Sequence, residues 1–184
     1  VRADARTRLL TMGAPLRRDE YWKYTNPAAL TAEAPTDCTP LEVDAVQVFE
    51  NTDVLRLVFV DGVFDAELSD DLAMEHVEIQ PLAEALKADI HWARGLYGAL
   101  ELAGQTPVAR PMAALNTAMA DAGFVIRATG PAPKPIHLRY LHREDRSDAV
   151  IRHLIKVESG ASLTVLENGP AASRFNKGME IDIA

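Results

Sequence analysis

Apolar residues recur at helical spacing in three parts of the chain. Residues 2–12 predict a short helix, and Gly13 is suited to cap its C-terminal end because glycine readily adopts positive φ angles. The apolar positions of residues 81–103 predict two helices, or one helix that is broken near residue 88. A further helix is predicted over residues 111–122, with a proline in its first turn and a glycine just after its end. The chain is therefore expected to contain a substantial helical part.

Strand patterns precede and follow these helices. An apolar run over residues 54–60 ends in Asp61-Gly62 and is followed by Val63-Phe64, which predicts a β-hairpin with a type I′ turn. Val77 and Ile79 alternate with polar neighbours, as in a half-buried strand. After Gly123 the period changes to two, and the predicted strands cover residues 124–126, 136–138, 150–157, 163–166 and 179–183. Short strands at such intervals are typical of a β-sandwich or of the first coils of a β-solenoid.

Composition and charge narrow the classes of function. The net charge of −8 does not favour nucleic-acid binding, which needs clustered Lys and Arg. The apolar runs are far shorter than the roughly 20 residues of a membrane span, so we expect a cytoplasmic protein that does not contact a membrane. Residues 31–40 have no period and are expected to form a loop. Cys38 is the only cysteine, which leaves too few ligands for a cysteine-based cluster or zinc site.

Residues 13–25, GAPLRRDEYWKYT, place charged and aromatic side chains in an unusual order, and we call them the signature segment. We expect its Arg-Arg pair and the glutamate that follows to form an ion-paired rim. The rings of Trp22 and Tyr24 are expected to bury against the hairpin, with their polar tips toward solvent. Neighbouring carboxylates at Asp19 and Glu20 point to different sides, so we expect a structural role rather than acid–base catalysis.

The signature segment resembles the GxPxRRxExWKYT motif near the start of SufD-type proteins, which are scaffolds of the SUF system of iron–sulfur cluster assembly. Two further stretches resemble the same family in the same order. One is LRLVFVDG at residues 55–62 with Leu68-Ser69 behind it, and the other is RHLIKVE at residues 152–158, continuing through Gly160-Ala161 to Leu166-Glu167. The three ordered matches cover essentially the whole chain but only the N-terminal part of the family's length.

The resemblance implies an α+β fold in two parts. Residues 1–130 would form an N-terminal mixed domain of helices and strands with a β-hairpin. Residues 131–184 would form the first coils of a right-handed parallel β-helix, which is truncated. Since the chain starts at Val1 and stops within an apolar alternation at Ile183-Ala184, we interpret it as a fragment. The last coil of a solenoid is uncapped unless something covers it, so we expect this end to pair with another chain, for example as a homodimer.

The resemblance also implies a function. The chain would be a non-catalytic scaffold subunit of a SufBCD-like complex, acting on iron–sulfur clusters together with a SufB-type scaffold and a SufC-type ATPase. In this family the contacts with these partners, and the residues proposed for cluster or iron handling, lie downstream of the matched part. We therefore expect no catalytic, cofactor-binding or metal-binding residue within these 184 residues. The family's longer N-terminal helical extension is shortened here.

Two alternatives come from other classes of protein. A self-contained β-rich module that binds a protein or a saccharide would be a stable monomer with a capped C-terminal end. A small metal-dependent hydrolase would use His137, His142 and His153, with carboxylates available at Glu144-Asp145 and Glu158. None of these histidines are four residues apart on a predicted helix, so surface or partly buried histidines are the favoured interpretation.

Overall fold

Two four-stranded β-sheets form the centre of the molecule, in a computed structural model that describes residues 1–39, 48–88, 91–169 and 172–184. The helices are α1 (Arg2–Met12), α2 (Ala28–Thr31), α3 (Leu82–Ala85), α4 (His91–Leu96), α5 (Ala99–Ala103) and α6 (Pro111–Met119), with a 3₁₀ turn at Glu20–Trp22. The strands are β1 (Leu55–Val60), β2 (Val63–Asp65), β3 (Val77–Pro81), β4 (Phe124–Ala128), β5 (Ile136–Leu141), β6 (Asp148–Val157), β7 (Val165–Asn168) and β8 (Arg174–Ile183). The fold is a mixed α+β fold, as expected.

Both sheets are mixed and have the same plan. The first sheet has the order β2-β1-β5-β7 and the second has the order β3-β4-β6-β8. In each sheet one outer pair, β1 with β2 or β3 with β4, is antiparallel, and the other neighbours are parallel. Strands from either side of residue 130 share both sheets, because β1 pairs with β5 and β4 pairs with β6. The division into residues 1–130 and 131–184 stays a prediction.

The main core lies between the facing surfaces of the two sheets. Side chains alternate between the faces of a strand, so every second residue of β1, β5 and β6 points into this core. Its buried members include Phe59, Phe124, Leu57, Leu138 and Ile151, all less than 2 % exposed. A second cluster covers the outer face of the second sheet, where α3 and α4 pack over Val125 and Leu154. Helices therefore cover one sheet on the side that faces away from the main core.

Most of the predicted helices are confirmed, with two corrections. Helix α1 ends where expected, since Gly13 lies at φ 73° and its N–H donates to the Leu9 carbonyl at 2.9 Å. Over residues 81–103 the structure has three short helices rather than two, because Gly98 at φ 78° separates α4 from α5. Helix α6 ends at Met119 rather than at residue 122, because Ala120 adopts an extended backbone.

All the predicted strands are present, but β7 begins at Val165 rather than at residue 163, and β8 begins at Arg174 rather than at residue 179. Asp61 and Gly62 have φ angles of 48° and 88° and connect β1 to β2 as an antiparallel hairpin. The positive φ at both positions is what a type I′ turn requires. After Gly123 the described residues contain strands and no helix. The predicted loop over residues 31–40 has neither helix nor strand from Ala32 to Thr39, and residue 40 lies outside the described residues.

No helix in the described part of the chain is both long enough and apolar enough to cross a membrane.

Candidate functional site

A hydrogen-bonded network of polar side chains crosses the core between the two sheets. The Phe124 N–H donates to His153 Nδ1 at 3.2 Å, and Tyr140 Oη lies 3.0 Å from His153 Nε2. Tyr140 then donates to Glu167 Oε1 at 2.8 Å, and Lys177 Nζ donates to Glu167 Oε2 at 2.5 Å. Because Nδ1 of a neutral imidazole accepts a hydrogen bond here, Nε2 carries the proton and donates to the tyrosine. These hydrogen bonds run from β6 through β5 and β7 to β8, and so they join the two sheets.

Burial fixes the protonation states of the side chains in this hydrogen-bonded network. His153 is fully buried against the rings of Phe59 and Phe124, and this burial lowers its pKa to about 3. Burial and the neighbouring carboxylate of Glu167 raise the pKa of Tyr140 well above its usual value. Burial also disfavours ionised Glu167, but hydrogen bonds from Lys177 and Tyr140 outweigh it and lower the pKa of this carboxyl. Near neutral pH the histidine is neutral and the Glu167–Lys177 pair is charged.

The Lys177–Glu167 pair lies on the strands that end both sheets in the described part of the chain. Strands β7 and β8 are each the last strand of a sheet, on the same side of the molecule. A cleft between them is lined by apolar side chains that include Val165 and Met179. Ile181 and Ile183 of β8 also line this cleft and are 47 % and 73 % exposed. Unpaired strand edges beside exposed apolar side chains are a typical template for pairing with another strand.

A second charged network joins the helices to the outer face of the second sheet. The guanidinium of Arg152 lies 3.0 Å from Glu180 Oε1 and donates to Asn116 Oδ1 at 2.7 Å. Arg152 and Glu180 are 3 % and 4 % exposed. The second Glu180 oxygen accepts the Gly98 N–H at 2.7 Å, and the Arg152 guanidinium stacks on the Tyr97 ring at 4.8 Å. The network therefore holds α5 and α6 against β6 and β8.

The signature segment forms a tight turn that points its two arginines into solvent. The Leu16 N–H donates to Asp19 Oδ2 at 2.8 Å, and the Asp19 N–H donates back to the Leu16 carbonyl at 2.9 Å. Arg17 and Arg18 lie between these two residues and are exposed. Tyr21 fastens the turn to the start of α6, because its hydroxyl accepts a hydrogen bond from Arg110 and its ring lies 4.6 Å from that guanidinium.

Two expectations for the signature segment were wrong. Among the described residues, Arg17, Arg18 and Glu20 form no ion pair, so there is no ion-paired rim there. The ring of Tyr24 is 91 % exposed rather than buried against the hairpin. Trp22 is half-buried, but it lines a groove beside α1 and α6 instead of contacting the hairpin. The segment packs on helices because α1 and α6 lie against each other on the same side of the second sheet.

This groove has a volume of about 650 Å³. Its apolar lining comes from α1, the signature segment, α6, β6 and β8, and it includes Leu9, Pro15, Trp22, Leu115, Val150 and Phe175. Arg174, Asp148 and Lys177 also line it, but each already forms an ion pair with another side chain. A concave apolar cavity of this size is within the range of ligand and peptide sites.

The three histidines of the hydrolase hypothesis do not converge. His137 and Tyr140 lie three positions apart on β5, so His137 faces away from the core that holds His153. His137 instead lies 2.5 Å from Asn168 Oδ1 and packs edge-on against Phe49. His142 is 2 % exposed, and its Nε2 has no hydrogen-bond partner in the described part of the chain.

The carboxylates of that hypothesis lie elsewhere. Glu144 and Asp145 are exposed in the loop after β5, and Glu158 accepts a hydrogen bond from Arg127 at 2.9 Å. Residues 1–39, 48–88, 91–169 and 172–184 contain no group of three or more His, Cys, Asp or Glu side chains that could hold a metal ion.

The sequence analysis did not identify the hydrogen-bonded network around His153 or the Arg152–Glu180 network. A signal was present, because Arg152-His153 interrupts an apolar strand, and Lys177 and Glu180 are charged residues in a segment that alternates apolar and polar positions. Alternation places His153 and Lys177 on one face and Arg152 and Glu180 on the other. Which of these side chains meet depends on strand register, which periodicity alone does not provide.

Comparison with known proteins adds no relative. No protein-family model matches the chain, and a search of curated proteins finds no match.

Proposed function

We propose that this chain is a non-catalytic scaffold subunit of a SUF-type iron–sulfur cluster assembly complex in the cytoplasm. In this proposal the strands are the first coils of a right-handed parallel β-helix. The partners are a SufB-type scaffold and a SufC-type ATPase, and a second copy of the chain is a further partner through the β7–β8 end. No residue described above is assigned a role in catalysis or in holding a cluster.

The observation that carries the proposal is the repeated path of the chain between the sheets. The pairs β1 and β4, β5 and β6, and β7 and β8 each contribute one strand to each sheet, and equivalent strands are parallel neighbours. This is the arrangement expected of stacked coils, in which each coil contacts only its neighbours. The order of the three sequence matches to the SufD family is consistent with it.

The exposed edge supports a role in assembly rather than in catalysis. At the β7–β8 end of the described residues, backbone groups of the edge strands lie beside Ile181 and Ile183. The exposure of these two apolar side chains to water is unfavourable. Covering this end with another polypeptide would bury both isoleucines and satisfy the edge of each sheet.

Co-purification tests the proposal directly. The full open reading frame that encodes this sequence would be tagged and co-expressed with the SufB-type and SufC-type proteins of the same genome, because the family's partner contacts lie downstream of the matched part. The complex would be sized by chromatography with light scattering. We expect co-elution with these partners, and an assembly heavier than the 20.1 kDa monomer when the chain is alone. Elution as a monomer that binds neither partner would contradict the proposal.

A pair of matched variants tests the role of the edge. Ile181→Lys with Ile183→Lys places two charges in the cleft and should abolish self-association. Leu100→Lys with Leu102→Lys is the control, because these residues of α5 are 56 % and 57 % exposed and do not line the cleft. If both double variants behave alike, the β7–β8 end is not the interface.

A self-contained β-rich binding module is the second candidate function. The 650 Å³ groove favours it, because a concave, mostly apolar surface is typical of ligand sites. This candidate requires a stable monomer in solution, so the same light-scattering measurement separates the two.

A further inference from the structure

The first 24 residues of this acidic protein carry a net positive charge. Residues 1–24 contain six Lys or Arg and three Asp or Glu, a net charge of +3, whereas the chain as a whole carries −8. The remainder of the chain therefore has a net charge of −11. Such an asymmetry creates a local positive potential that attracts acidic partners.

Four of these six basic side chains are available to a partner. Arg8 is occupied by Glu101, and Arg2 donates to the Ala118 carbonyl. The other four are exposed and form no ion pair within the described residues: Arg6, Arg17, Arg18 and Lys23. The Leu16–Asp19 turn holds the two central arginines outward.

Exposed apolar side chains line the 650 Å³ groove, whose lining also includes residues 13–15 and Trp22 of the signature segment, on either side of Arg17 and Arg18 in the sequence. Leu10 and Met119 both line the groove and are 73 % and 53 % exposed. Leu16, within the signature turn, is 64 % exposed. Single exposed apolar residues are ordinary, but Leu10 and Met119 add exposed apolar surface to the lining of one apolar groove.

We propose that this groove docks an amphipathic helix of a partner protein, with apolar anchors between α1 and α6 and acidic residues against Arg17 and Arg18. Apolar side chains at i, i+3 or i+4, and i+7 are the usual anchors of a helix in a groove. The concave shape favours a helix over a flat anionic membrane surface. The signature segment then has a role, since its turn supplies the basic rim and Trp22 supplies part of the wall.

This inference needs a partner protein, but it does not need the SUF assignment. A failed co-purification with intact peptide docking would refute the proposed function alone. Loss of peptide docking with intact co-purification would overturn only the docking site.

Binding of a designed peptide tests the proposal. The probe is a synthetic helix of about 18 residues, or about five turns, with Leu on one face and Glu on the other. The control probe carries the same Leu residues with Lys in place of Glu. Trp92→Phe leaves Trp22 as the only tryptophan in the chain, so its emission reports on the groove. We expect the acidic peptide to shift this emission with saturation and the basic peptide to bind at least about tenfold more weakly.

Charge reversal gives the decisive result. Arg17→Glu with Arg18→Glu should weaken binding of the acidic peptide about tenfold and strengthen binding of the basic peptide, because the rim charge is inverted. Lys87→Glu with Arg143→Glu makes the same change in net charge at exposed positions that do not line the groove, and it should leave both affinities unchanged.

Three outcomes would overturn the proposal. Equal affinity for the acidic and the basic peptide would mean that apolar contacts alone bind the peptide and that the basic residues do not select it. Equal effects of the two double variants would mean that net charge alone matters. Binding to phosphatidylserine vesicles, without binding of the acidic peptide, would assign the basic rim to a membrane surface instead.

Discussion

The buried imidazole of His153 should make the folded state sensitive to mild acid. Its pKa falls from 6.5 to about 3 on folding because the ring is enclosed by aromatic side chains. Between these values the unfolded chain binds a proton that the folded protein does not. Folding stability from this group is therefore complete above about pH 6.5 and is lost as the pH falls.

The size of the effect follows from the two pKa values. Linkage gives about 1.4 kcal/mol per pH unit within the window, and a loss of about 2 kcal/mol between pH 7.5 and pH 5. Glu167 acts in the same direction, but its pKa lies below the usual value of 4.5, so it contributes little above pH 5. His137 also has a pKa lowered by burial and adds to the slope of the wild-type protein.

Urea unfolding at a series of pH values measures this contribution by difference. His153→Gln keeps a neutral side chain at the site and removes the titration, so its stability should fall less steeply between pH 7.5 and pH 5. His76→Gln is the matched control at a site outside the core, because the His76 side chain is 50 % exposed. The reasoning is refuted if His153→Gln retains the full wild-type slope.

Three further predictions concern stability in urea at neutral pH. Arg152→Met should destabilise by about 3–5 kcal/mol because it leaves the buried Glu180 unpaired, while adding Glu180→Met should recover part of the loss. Gly123→Ala should prevent normal folding, since a Cβ would lie 1.8 Å from the Arg152 carbonyl oxygen, whereas Gly160→Ala, with open space around it, should cost only about 1 kcal/mol. Phe59→Ala should destabilise by about 3–5 kcal/mol because the ring is fully buried, and a loss below 1 kcal/mol would contradict its place in the core.

Local signals in the sequence were sufficient to predict most of the helices and strands. The end of α1 at Gly13 and the Asp61-Gly62 hairpin depend on the conformations that single residues prefer, and both are confirmed. The strands after Gly123 depend on a period of two, which burial on one face maintains. These predictions succeeded because each needed only neighbouring residues.

Predictions that depend on distant contacts succeeded less well. The ring of Tyr24 was expected to be buried, but burial depends on which element lies above it, and the signature segment packs beside α6 instead. The break between α4 and α5 at Gly98 was missed because the Gly98 N–H is held by Glu180, which is far along the chain. The residues of the two polar networks were missed for the same reason. They lie on strands that pair in parallel, and such strands are separated by long connections.

The two polar networks explain how such separated strands keep one register. In β8 the residues Lys177 and Met179 face the core, and Asn176 and Glu180 face the helices. A slip by one residue would exchange these faces, because side chains alternate along a strand. Glu180 would then lose Arg152 and enter the apolar core, while Glu167 would lose Lys177. Apolar packing alone penalises this slip weakly at an exposed edge, so the charged pairs on both faces specify the position of β8.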